Sequence, residues 1–415
     1  MTQDILRQIL DYSNRADPYP LYKELRRTPV YHDGSGPFVV STYYEIQALL
    51  HDPRISSDAR NLASNAADPL AEPGGEEETV LPPSFLKLDP PEHDRLRRMT
   101  NRPFGPPHSP HRVHDMRGDL HEIVKGLIDR IAENGNAERI DLVEEFSYPF
   151  PVTVICRLLG VPPEDEARFH VWADTLAASL DPDPDADPKE RERRTHDSRM
   201  ELGMYLSGLI EERRKNPTGD MLSELATGNG PDGTMTTMEV LSTAALLLIA
   251  GHETTVNLIT NGMLTLLCFP EVLDRLREEP ELSVNLVEEL LRYEPPVQLV
   301  PQRSTLADLE VAGVSIPKGA SLWLVLAAGN RDPLRFEDPD RFDPDREDIQ
   351  HLGLGSGIHS CFGAPLARQE AQLALSELAR RLENPRLLAD PPPYRQNAVL
   401  RGPRHLPIAV DGIRP

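Results

Sequence analysis

The sequence predicts a mainly α fold with a small β part, and three observations support this prediction. Apolar patterns with helical spacing dominate the chain from residue 92 onward. Residues 237–269 are apolar nearly all round, and a helix of that length spans on the order of 45 Å, the width of a domain. No internal repeat or linker-like change of composition is visible, so we predict one domain over residues 1–415. Strand signals are confined to three short stretches: residues 37–41, 309–317 and 321–328.

Helices are bounded by prolines, glycines and polar residues along the whole chain. The helix after Asp89 begins with two prolines, which are tolerated in a first turn because that turn has no partner for the N–H group. Lys318 and Gly319 separate the two later strand signals. The predicted helices cover about residues 18–27, 43–50, 89–104, 114–131, 149–160, 164–180, 189–215, 237–269, 283–293 and 364–382.

Two segments interrupt this helical pattern. Residues 61–84 are rich in proline, glycine and acidic residues without an apolar period, which predicts a long mobile surface loop. Residues 181–188, with the sequence DPDPDADP, break any helix and predict a hinge between two helices. We expect both segments to control access to a binding pocket.

Composition excludes several classes of protein. The chain has 44 Lys and Arg against 67 Asp and Glu, a net charge of −23, which is unsuited to general binding of nucleic acid. Three cysteines argue against a disulfide framework, and no secretory signal precedes the first helix, so we expect a cytoplasmic protein. The longest apolar stretch carries His252 and Glu253 at its centre, which favours a buried helix over a membrane span.

One cysteine differs from the other two. Cys156 and Cys268 lie in apolar helical sequence and are predicted to be small buried hydrophobic residues. Cys361 lies in a glycine-rich turn before a helix, where backbone N–H groups can stabilise a thiolate. The glycines of this turn are Gly353, Gly355, Gly357 and Gly363.

The stretch GLGSGIHSCFGAPLAR, residues 353–368, resembles the haem-binding loop of the cytochrome P450 family, F-G-x-G-x-H-x-C-x-G followed by L-A-R. The resemblance implies the triangular helical prism of that family, haem b as cofactor, and Cys361 as the axial thiolate of the iron. A thiolate ligand donates electron density and favours O–O cleavage. Leu354 replaces the family's usual Phe, and we expect this change to tune the haem rather than to prevent ligation.

A second motif is AGHETT, residues 250–255, within the long helix. A zinc-protease HExxH motif would need histidine where Val256 stands, so that alternative fails. The motif matches the family's distal pattern [A/G]-G-x-[D/E]-T-[T/S]. The resemblance implies that Ala250 and Gly251 leave room for O₂, that Thr254 hydrogen-bonds bound oxygen, and that Glu253 supplies protons.

The third motif is the ExxR pair Glu289 and Arg292, followed by PDRF at residues 339–342. Alone, such an i, i+3 pair is common. Its position before the Cys361 turn resembles the family's buried Glu–Arg–Arg network, with Arg341 as the second arginine. We assign these residues a structural role, since stranding a buried charge costs about 3–5 kcal/mol.

A cationic helix begins at His93. By resemblance, His93 and Arg97 bind one haem propionate, and their i, i+4 spacing places them on one face. Arg303 and His359 match the remaining propionate contacts. The other cations of this helix form a basic patch predicted to steer an acidic ferredoxin, the alternative being simple solvation: Arg95, Arg98 and Arg102.

Together the motifs imply a haem-thiolate monooxygenase that inserts one oxygen atom from O₂ into a C–H or C=C bond. Electrons would come from NAD(P)H through a ferredoxin reductase and a ferredoxin, which are separate proteins because the chain has no flavin or ferredoxin motif. We expect a monomer with no nucleic-acid partner and no membrane. Two alternatives stay open: a peroxide-driven peroxygenase, and a noncatalytic haem-binding module.

The expected substrate is lipophilic. Macrolides, other polyketides and terpenoid or steroid-like molecules suit an apolar pocket of this kind. Acidic residues Glu76, Glu77 and Glu78 of the predicted loop raise a further possibility, a cationic amino-sugar substrate, against simple solvation. By resemblance the pocket is lined by Leu246, Ile249, Ala250, Val297, Leu299, Val300 and Val399.

Overall fold

The computed structural model describes residues 5–63, 70, 82–105, 109–135, 138–180 and 187–415. The fold is mainly α with small sheets, as the sequence predicts. The helices are α1 Ile5–Leu10, α2 Tyr19–Leu25, α3 Tyr43–His51, α4 Glu92–Phe104, α5 Arg112–Asp115, α6 Arg117–Asn134, α7 Pro149–Leu159, α8 Glu166–Leu180, α9 Pro188–Lys215, α10 Met221–Thr227, α11 Thr237–Cys268, α12 Pro270–Glu278, α13 Ser283–Tyr293, α14 Leu326–Gly329 and α15 Ala364–Arg381.

The strands are short. They are β1 Val30–Tyr31, β2 Phe38–Val40, β3 Ile55–Ser56, β4 Ile140–Asp141, β5 Val300–Thr305, β6 Leu309–Val311, β7 Val314–Ile316, β8 Ser321–Leu324, β9 Leu382–Glu383, β10 Arg386–Leu387, β11 Pro407–Ala409 and β12 Gly412–Ile413. β6 and β7 form the antiparallel hairpin that the stretch 309–317 predicts.

Local sequence explains where several helices begin and end. Asp187 accepts a hydrogen bond from the Lys189 N–H and so caps α9, whose first residue is a proline. Asp220 caps α10 in the same way, accepting a 2.6 Å bond from the Ser223 N–H. Helix α7 ends at Gly160, which adopts the left-handed conformation that glycine favours.

The chain divides into two compact units, each built from three segments. Unit 1 comprises Met1–Glu77, Asn257–Ala364 and Leu387–Leu406. Unit 2 comprises Glu78–Val256, Pro365–Arg386 and Pro407–Pro415. The chain passes from one unit to the other within α11, between Val256 and Asn257, and again at the start of α15.

Unit 1 is organised around a five-stranded sheet in the order β1-β2-β8-β5-β3. β2 runs parallel to β8, and the other pairs are antiparallel. Strand β8 is buried on both faces: Leu322 and Leu324 pack in one apolar cluster, and Trp323 packs in another. The second cluster includes Tyr22 of α2, so the N-terminal helices cover one face of this sheet.

Unit 2 is mainly helical. Its helices pack in pairs, α8 against α9, α10 against α9 and α4, and α7 against α6 and α8. Two small sheets join distant segments, because β11 pairs with β4 and β12 pairs with β9. Fully buried apolar side chains on α6 and α7 include Leu120, Ile128 and Phe150.

The structure corrects the sequence expectations at several places. Helix α12 was not predicted, because Phe269-Pro270 reads as a break, yet Pro270 occupies the first turn. The strand expected over residues 321–328 ends at Leu324, where α14 follows. Cys268 is exposed at the end of α11 rather than buried. Two predicted segments lie partly outside the described residues. These are the loop 61–84, at residues 64–69 and 71–81, and the hinge 181–188, at residues 181–186.

Taken singly, no described helix has the length and apolar character of a membrane span. Helices α11 and α12 are bent by 108° where they meet, and only the two taken together have the length and composition of a membrane span.

Candidate functional site

The Cys361 turn is shaped by two glycines in the left-handed conformation, Gly355 with φ +68° and Gly357 with φ +69°. A Cβ atom at Gly357 would lie 2.0 Å from the Leu50 carbonyl oxygen, so only glycine fits. The Cys361 N–H donates a 2.8 Å hydrogen bond to the Leu354 carbonyl, and the cysteine itself is exposed. Since α15 begins three residues later, the turn presents an exposed thiol just before a helix N-terminus.

A chain of contacts connects the ExxR motif to this turn. Arg292 of α13 donates a 3.0 Å hydrogen bond to the Asn330 carbonyl. The Asn330 side chain accepts a 2.6 Å bond from the Leu352 N–H and donates to the Leu291 carbonyl. A Cβ at Gly353 would lie 2.2 Å from that same Leu291 oxygen. The pair therefore holds the start of the turn through Asn330, a residue that the sequence analysis missed.

The second arginine of the buried network is Arg346, and the assignment of Arg341 was wrong. Glu289 and Arg292 form a fully buried ion pair at 2.7 Å. The Arg346 Nε atom lies 3.4 Å from the Glu289 carboxylate, and its side chain is only 11% exposed. The Arg341 side chain is 67% exposed and lies 3.5 Å from Asp343. Arg341 contributes only its backbone carbonyl, which accepts a bond from Arg292.

His359 and Arg303 occupy different elements of unit 1. The His359 Nε2 atom lies 2.8 Å from the Ser57 hydroxyl, just after β3. Arg303 is half-buried on β5, opposite Leu322 of β8. The pairing of β5 shifts between Val300 and Arg303, and Gln302 between them has a φ of +58°. A bulge of this kind turns the side chains of a strand away from simple alternation, which the sequence did not reveal.

Helix α11 in unit 2 carries the AGHETT motif. The Thr254 hydroxyl donates a 2.7 Å hydrogen bond to the Ala250 carbonyl, one turn back. A Cβ atom at Gly251 would lie 2.9 Å from the Ile155 side chain, so α7 approaches α11 closely there. Glu253 is 3% exposed, and the His252 ring packs edge-on against Tyr148 at 4.4 Å.

The same helix has an uncovered apolar strip. Ile249 is 38% exposed and Ala250 is exposed, in a helix whose other central residues are mostly buried. Leu246, one turn earlier, is half-buried, and so is Thr254, one turn later. Spacings of three and four residues place these side chains on one helix face. A small residue at the centre of such a strip leaves room for a flat ligand.

His93 and Arg97 lie on one face of α4, as their spacing predicts. His93 is buried, and its Nδ1 atom lies 2.8 Å from the Asp94 carboxylate. The Phe85 ring contacts both residues: its centroid is 6.3 Å from the His93 ring and 5.8 Å from the Arg97 guanidinium carbon. Phe85 was missed because it lies in a short 3₁₀ turn before the motif.

The predicted basic patch on α4 is largely neutralised within unit 2. Arg95 forms an ion pair with Glu239 of α11. Arg98 pairs with Asp232 at 2.8 Å, and its hydrogen bond lowers the pKa of that carboxyl below the usual range. Arg102 has no ion-pair partner among the described residues. The patch therefore has less net positive charge than the sequence of the helix suggests.

The predicted substrate-lining residues of unit 1 differ in exposure. Val297, Val300 and Val399 are half-buried, and Val297 forms an isolated antiparallel β-bridge with Leu400. Leu299, however, is fully buried in the apolar cluster that also holds Trp323, so its assignment to a pocket wall was wrong. Val297 and Val300 pack instead against the other apolar cluster of unit 1.

The residues present fit the haem group that the motifs predict. Cys361 offers an exposed sulfur, the ligand type that holds haem iron as a thiolate. The uncovered strip at Ala250 suits a flat macrocycle. His359, Arg303, His93 and Arg97 supply cationic or hydrogen-bonding side chains of the kind that bind propionates. Neither of the other cysteines is comparable: Cys156 is buried, which raises its pKa to about 12, and Cys268 lies in no glycine-rich turn.

Comparison with known proteins decides the family. The family model described as cytochrome P450 matches residues 77–407. The chain belongs to the cytochrome P450 family. This P450 is 41% identical to the cytochrome P450 monooxygenase PikC of Streptomyces venezuelae, over 95% of this chain and 91% of that protein. It is 35% identical to the 6-deoxyerythronolide B hydroxylase of Saccharopolyspora erythraea, over 96% and 98%.

Solved structures agree. Substrate-free CYP109E1 from Bacillus megaterium superposes with a TM-score of 0.87 at 32% identity, covering 96% of this chain and 100% of that one. The bacillaene polyketide synthase P450 PksS of Bacillus subtilis gives a TM-score of 0.85 at 29% identity, covering 97% and 99%. This P450 is thus a monooxygenase of the bacterial type, and its family implies a haem-iron cofactor.

Proposed function

We propose that this P450 binds haem b through Cys361 and inserts one oxygen atom from O₂ into a C–H or C=C bond of a lipophilic secondary metabolite. When bound, the haem would supply the activation of O₂ and the transfer of one oxygen atom to the substrate. The observation that carries the proposal is the Cys361 turn, where two left-handed glycines and the Leu354 carbonyl fix an exposed sulfur.

Proton supply is assigned to Thr254 and Glu253. The Thr254 hydroxyl donates its own proton to the Ala250 carbonyl, so its oxygen lone pairs remain available to accept a proton-bearing partner. Glu253 is the adjacent acid and is almost fully buried, which suits a group that passes protons rather than one that is solvated. Both residues have the chemistry that reduction of O₂ requires.

The substrate is proposed to be a macrolide or other polyketide, or a terpenoid or steroid-like molecule. Support comes from the apolar strip at Leu246, Ile249 and Ala250 and from the names of relatives. Those relatives include a 6-deoxyerythronolide B hydroxylase, a polyketide biosynthesis P450 and a vitamin D(3) 25-hydroxylase. A purified-protein titration against these compound classes, followed by the haem spin state, tests the proposal. Lack of any response would point to a carrier-bound or polar substrate.

The amino-sugar alternative has a separate test. Glu76, Glu77 and Glu78 lie outside the described residues, so only the sequence supports a role for them. Neutralising all three to glutamine should weaken binding of an amino-sugar-bearing substrate and leave binding of its aglycone unchanged. Equal losses for both ligands would contradict the idea.

Electrons are proposed to come from NAD(P)H through a ferredoxin reductase and a ferredoxin. Because Arg95 and Arg98 are paired internally, Arg102 is the patch residue with charge left for an acidic carrier. The enzyme is proposed to act as a cytoplasmic monomer.

The decisive experiment compares two single cysteine variants. Cys361→Ser should lose the red-shifted carbon monoxide absorption band that thiolate-bound haem gives, while Cys268→Ser, which changes an exposed cysteine outside the turn, should keep it. A band that persists in Cys361→Ser would overturn the ligand assignment. Product formed with NADPH, reductase and ferredoxin supports the monooxygenase; turnover with peroxide alone would favour a peroxygenase. Haem uptake without any product would favour a noncatalytic module.

A further inference from the structure

A cavity of about 460 Å³ lies wholly within unit 2, beside α4 and α10. Its walls include Met99, Arg102 and Pro103 of α4 and Leu225 of α10. No residue of the predicted catalytic set lines it. Volumes of about 300–1,000 Å³ are typical of sites that bind small organic molecules, and far exceed what one protein side chain fills.

One cation in the cavity wall has no carboxylate of its own. Arg102 has no ion-pair partner within 4.0 Å among the described residues. Its arginine neighbours are paired: Arg98 with Asp232, and Arg112 with Glu224. Asp232 also interacts electrostatically with Arg102, so Arg98 and Arg102 share one carboxylate, whereas Arg112 pairs with Glu224. A guanidinium in this situation favours a carboxylate partner, with which it forms two parallel hydrogen bonds.

The backbone opposite Arg102 is shaped to receive this side chain. A Cβ atom at Gly230 would lie 1.7 Å from the Arg102 Nη1 atom. Gly230 pairs with Gly233 in a tight turn, whose backbone lies against the guanidinium. The guanidinium is therefore held against this turn, which lowers the entropy cost of binding an anion.

The wall also has an apolar part, beside the polar residues Ser109, Thr227 and Asn229. Met99, Leu225 and Met235 form this apolar part, and all three are buried. Methionine side chains are flexible and polarisable, and they adapt to ligands of irregular shape. A ligand that pairs with Arg102 can therefore place an apolar part against these three side chains.

We propose that this cavity binds a small amphipathic organic carboxylate, whose carboxylate pairs with Arg102 and whose apolar part packs on Met99, Leu225 and Met235. A cation is disfavoured because Glu224, the acid that the described residues contribute to the wall, is already bound by Arg112. The proposal does not rest on the proposed function. Arg102 is also assigned to the ferredoxin surface, so the test uses no ferredoxin.

The test follows ¹³C-methyl methionine signals of the haem-loaded enzyme during titration with decanoate, and with decanol as the neutral probe of equal length. The chain has nine methionines, and Met99 and Met235 are assigned by substitution to leucine. Both signals should shift together with decanoate. Arg102→Gln should raise the apparent Kd for decanoate about tenfold and leave that for decanol unchanged. Arg130→Gln, an equal change of charge on the exposed face of α6, should have no effect.

The signals at these two methionines distinguish this cavity from the active site, where decanoate could also bind. Decanoate that leaves Met99 and Met235 unshifted would overturn the proposal, as would equal affinity in Arg102→Gln. Asn229→Trp provides a second variant from an exposed position of the wall, which keeps Arg102 and fills the cavity. It should abolish the decanoate shift at Met235; unchanged binding in this variant would also refute the site.

Discussion

Replacing Arg346 by glutamine should destabilise the protein far more than the same change at Arg341. Arg346 donates a 2.7 Å hydrogen bond to the Glu337 carbonyl and a 3.3 Å bond to the Arg341 carbonyl, and it lies 3.4 Å from Glu289. Hydrogen bonds from a charged donor contribute about 1.5–3 kcal/mol each, less where the acceptor is exposed, as Glu337 is. Glu289 keeps its Arg292 partner, so the full cost of a stranded charge does not apply.

We therefore expect Arg346→Gln to lower the free energy of unfolding by about 2–3 kcal/mol. The exposed Arg341 pair should contribute at most about 1 kcal/mol, so Arg341→Gln is the matched control. Urea unfolding of the haem-loaded enzyme, followed by far-ultraviolet circular dichroism, gives both values. The reasoning is refuted if Arg341→Gln costs as much as Arg346→Gln.

Three further predictions concern single residues. Burial raises the pKa of Glu370 well above 4.5, so its contribution to stability falls as pH rises above the unfolded-state value. As the pH rises from 5 to 8, the free energy of unfolding of Glu370→Gln should therefore increase relative to that of the parent, by up to about 1.4 kcal/mol per pH unit. Urea unfolding measures this difference, and the same difference at pH 5 and at pH 8 would contradict the prediction. Gly357→Ala should lose most bound haem, because its Cβ would lie 2.0 Å from the Leu50 carbonyl oxygen. Haem absorbance per protein measures this loss, and full haem content would show that the turn can rearrange to accept the alanine. Leu354→Phe should shift the haem potential in a redox titration while keeping the thiolate spectrum, and an unchanged potential would end the tuning hypothesis.

The spacing of apolar residues and the position of helix-breaking residues predicted the helices well where both signals were strong. Helix α11 was expected over residues 237–269 and ends one residue earlier, and α13 has the predicted bounds. Helix α12 was missed because a proline marks either a break or a first turn, and only the packed structure distinguishes the two. Residues 321–328 are uniformly apolar, so their sequence did not show where β8 gives way to α14.

The sequence predicted where a site residue lies on its element when a motif fixes local geometry, and failed to do so when tertiary packing decides. The spacing of His93 and Arg97 was enough to place them on one face, since an α-helix repeats every 3.6 residues. The choice between Arg341 and Arg346 depends on how an irregular segment folds back on Glu289, which no periodicity describes. The assignment of Leu299 to a pocket wall was wrong for the same reason. Distant residues such as Trp323 determine which side of an irregular segment faces the core.

Asn330 and Phe85 show a second limit. Phe85 contacts the predicted residues His93 and Arg97, and Asn330 connects Arg292 to the start of the Cys361 turn, yet neither belongs to a recognisable pattern. A side chain that supports a site from an irregular segment leaves no periodic signal in one sequence. Such residues are found only once the chain has been folded.

The division of each unit into three segments affects how the protein is made. A ribosome releases the chain from its N-terminus, so unit 1 lacks residues 387–406 and unit 2 lacks residues 407–415 until residues 1–386 have been made. Strand β4 emerges long before its partner β11, and contacts so distant in sequence form slowly. A premature stop before residue 387 therefore leaves two unfinished cores instead of one finished unit. The nascent chain must stay unaggregated, with apolar surface exposed, for most of its synthesis.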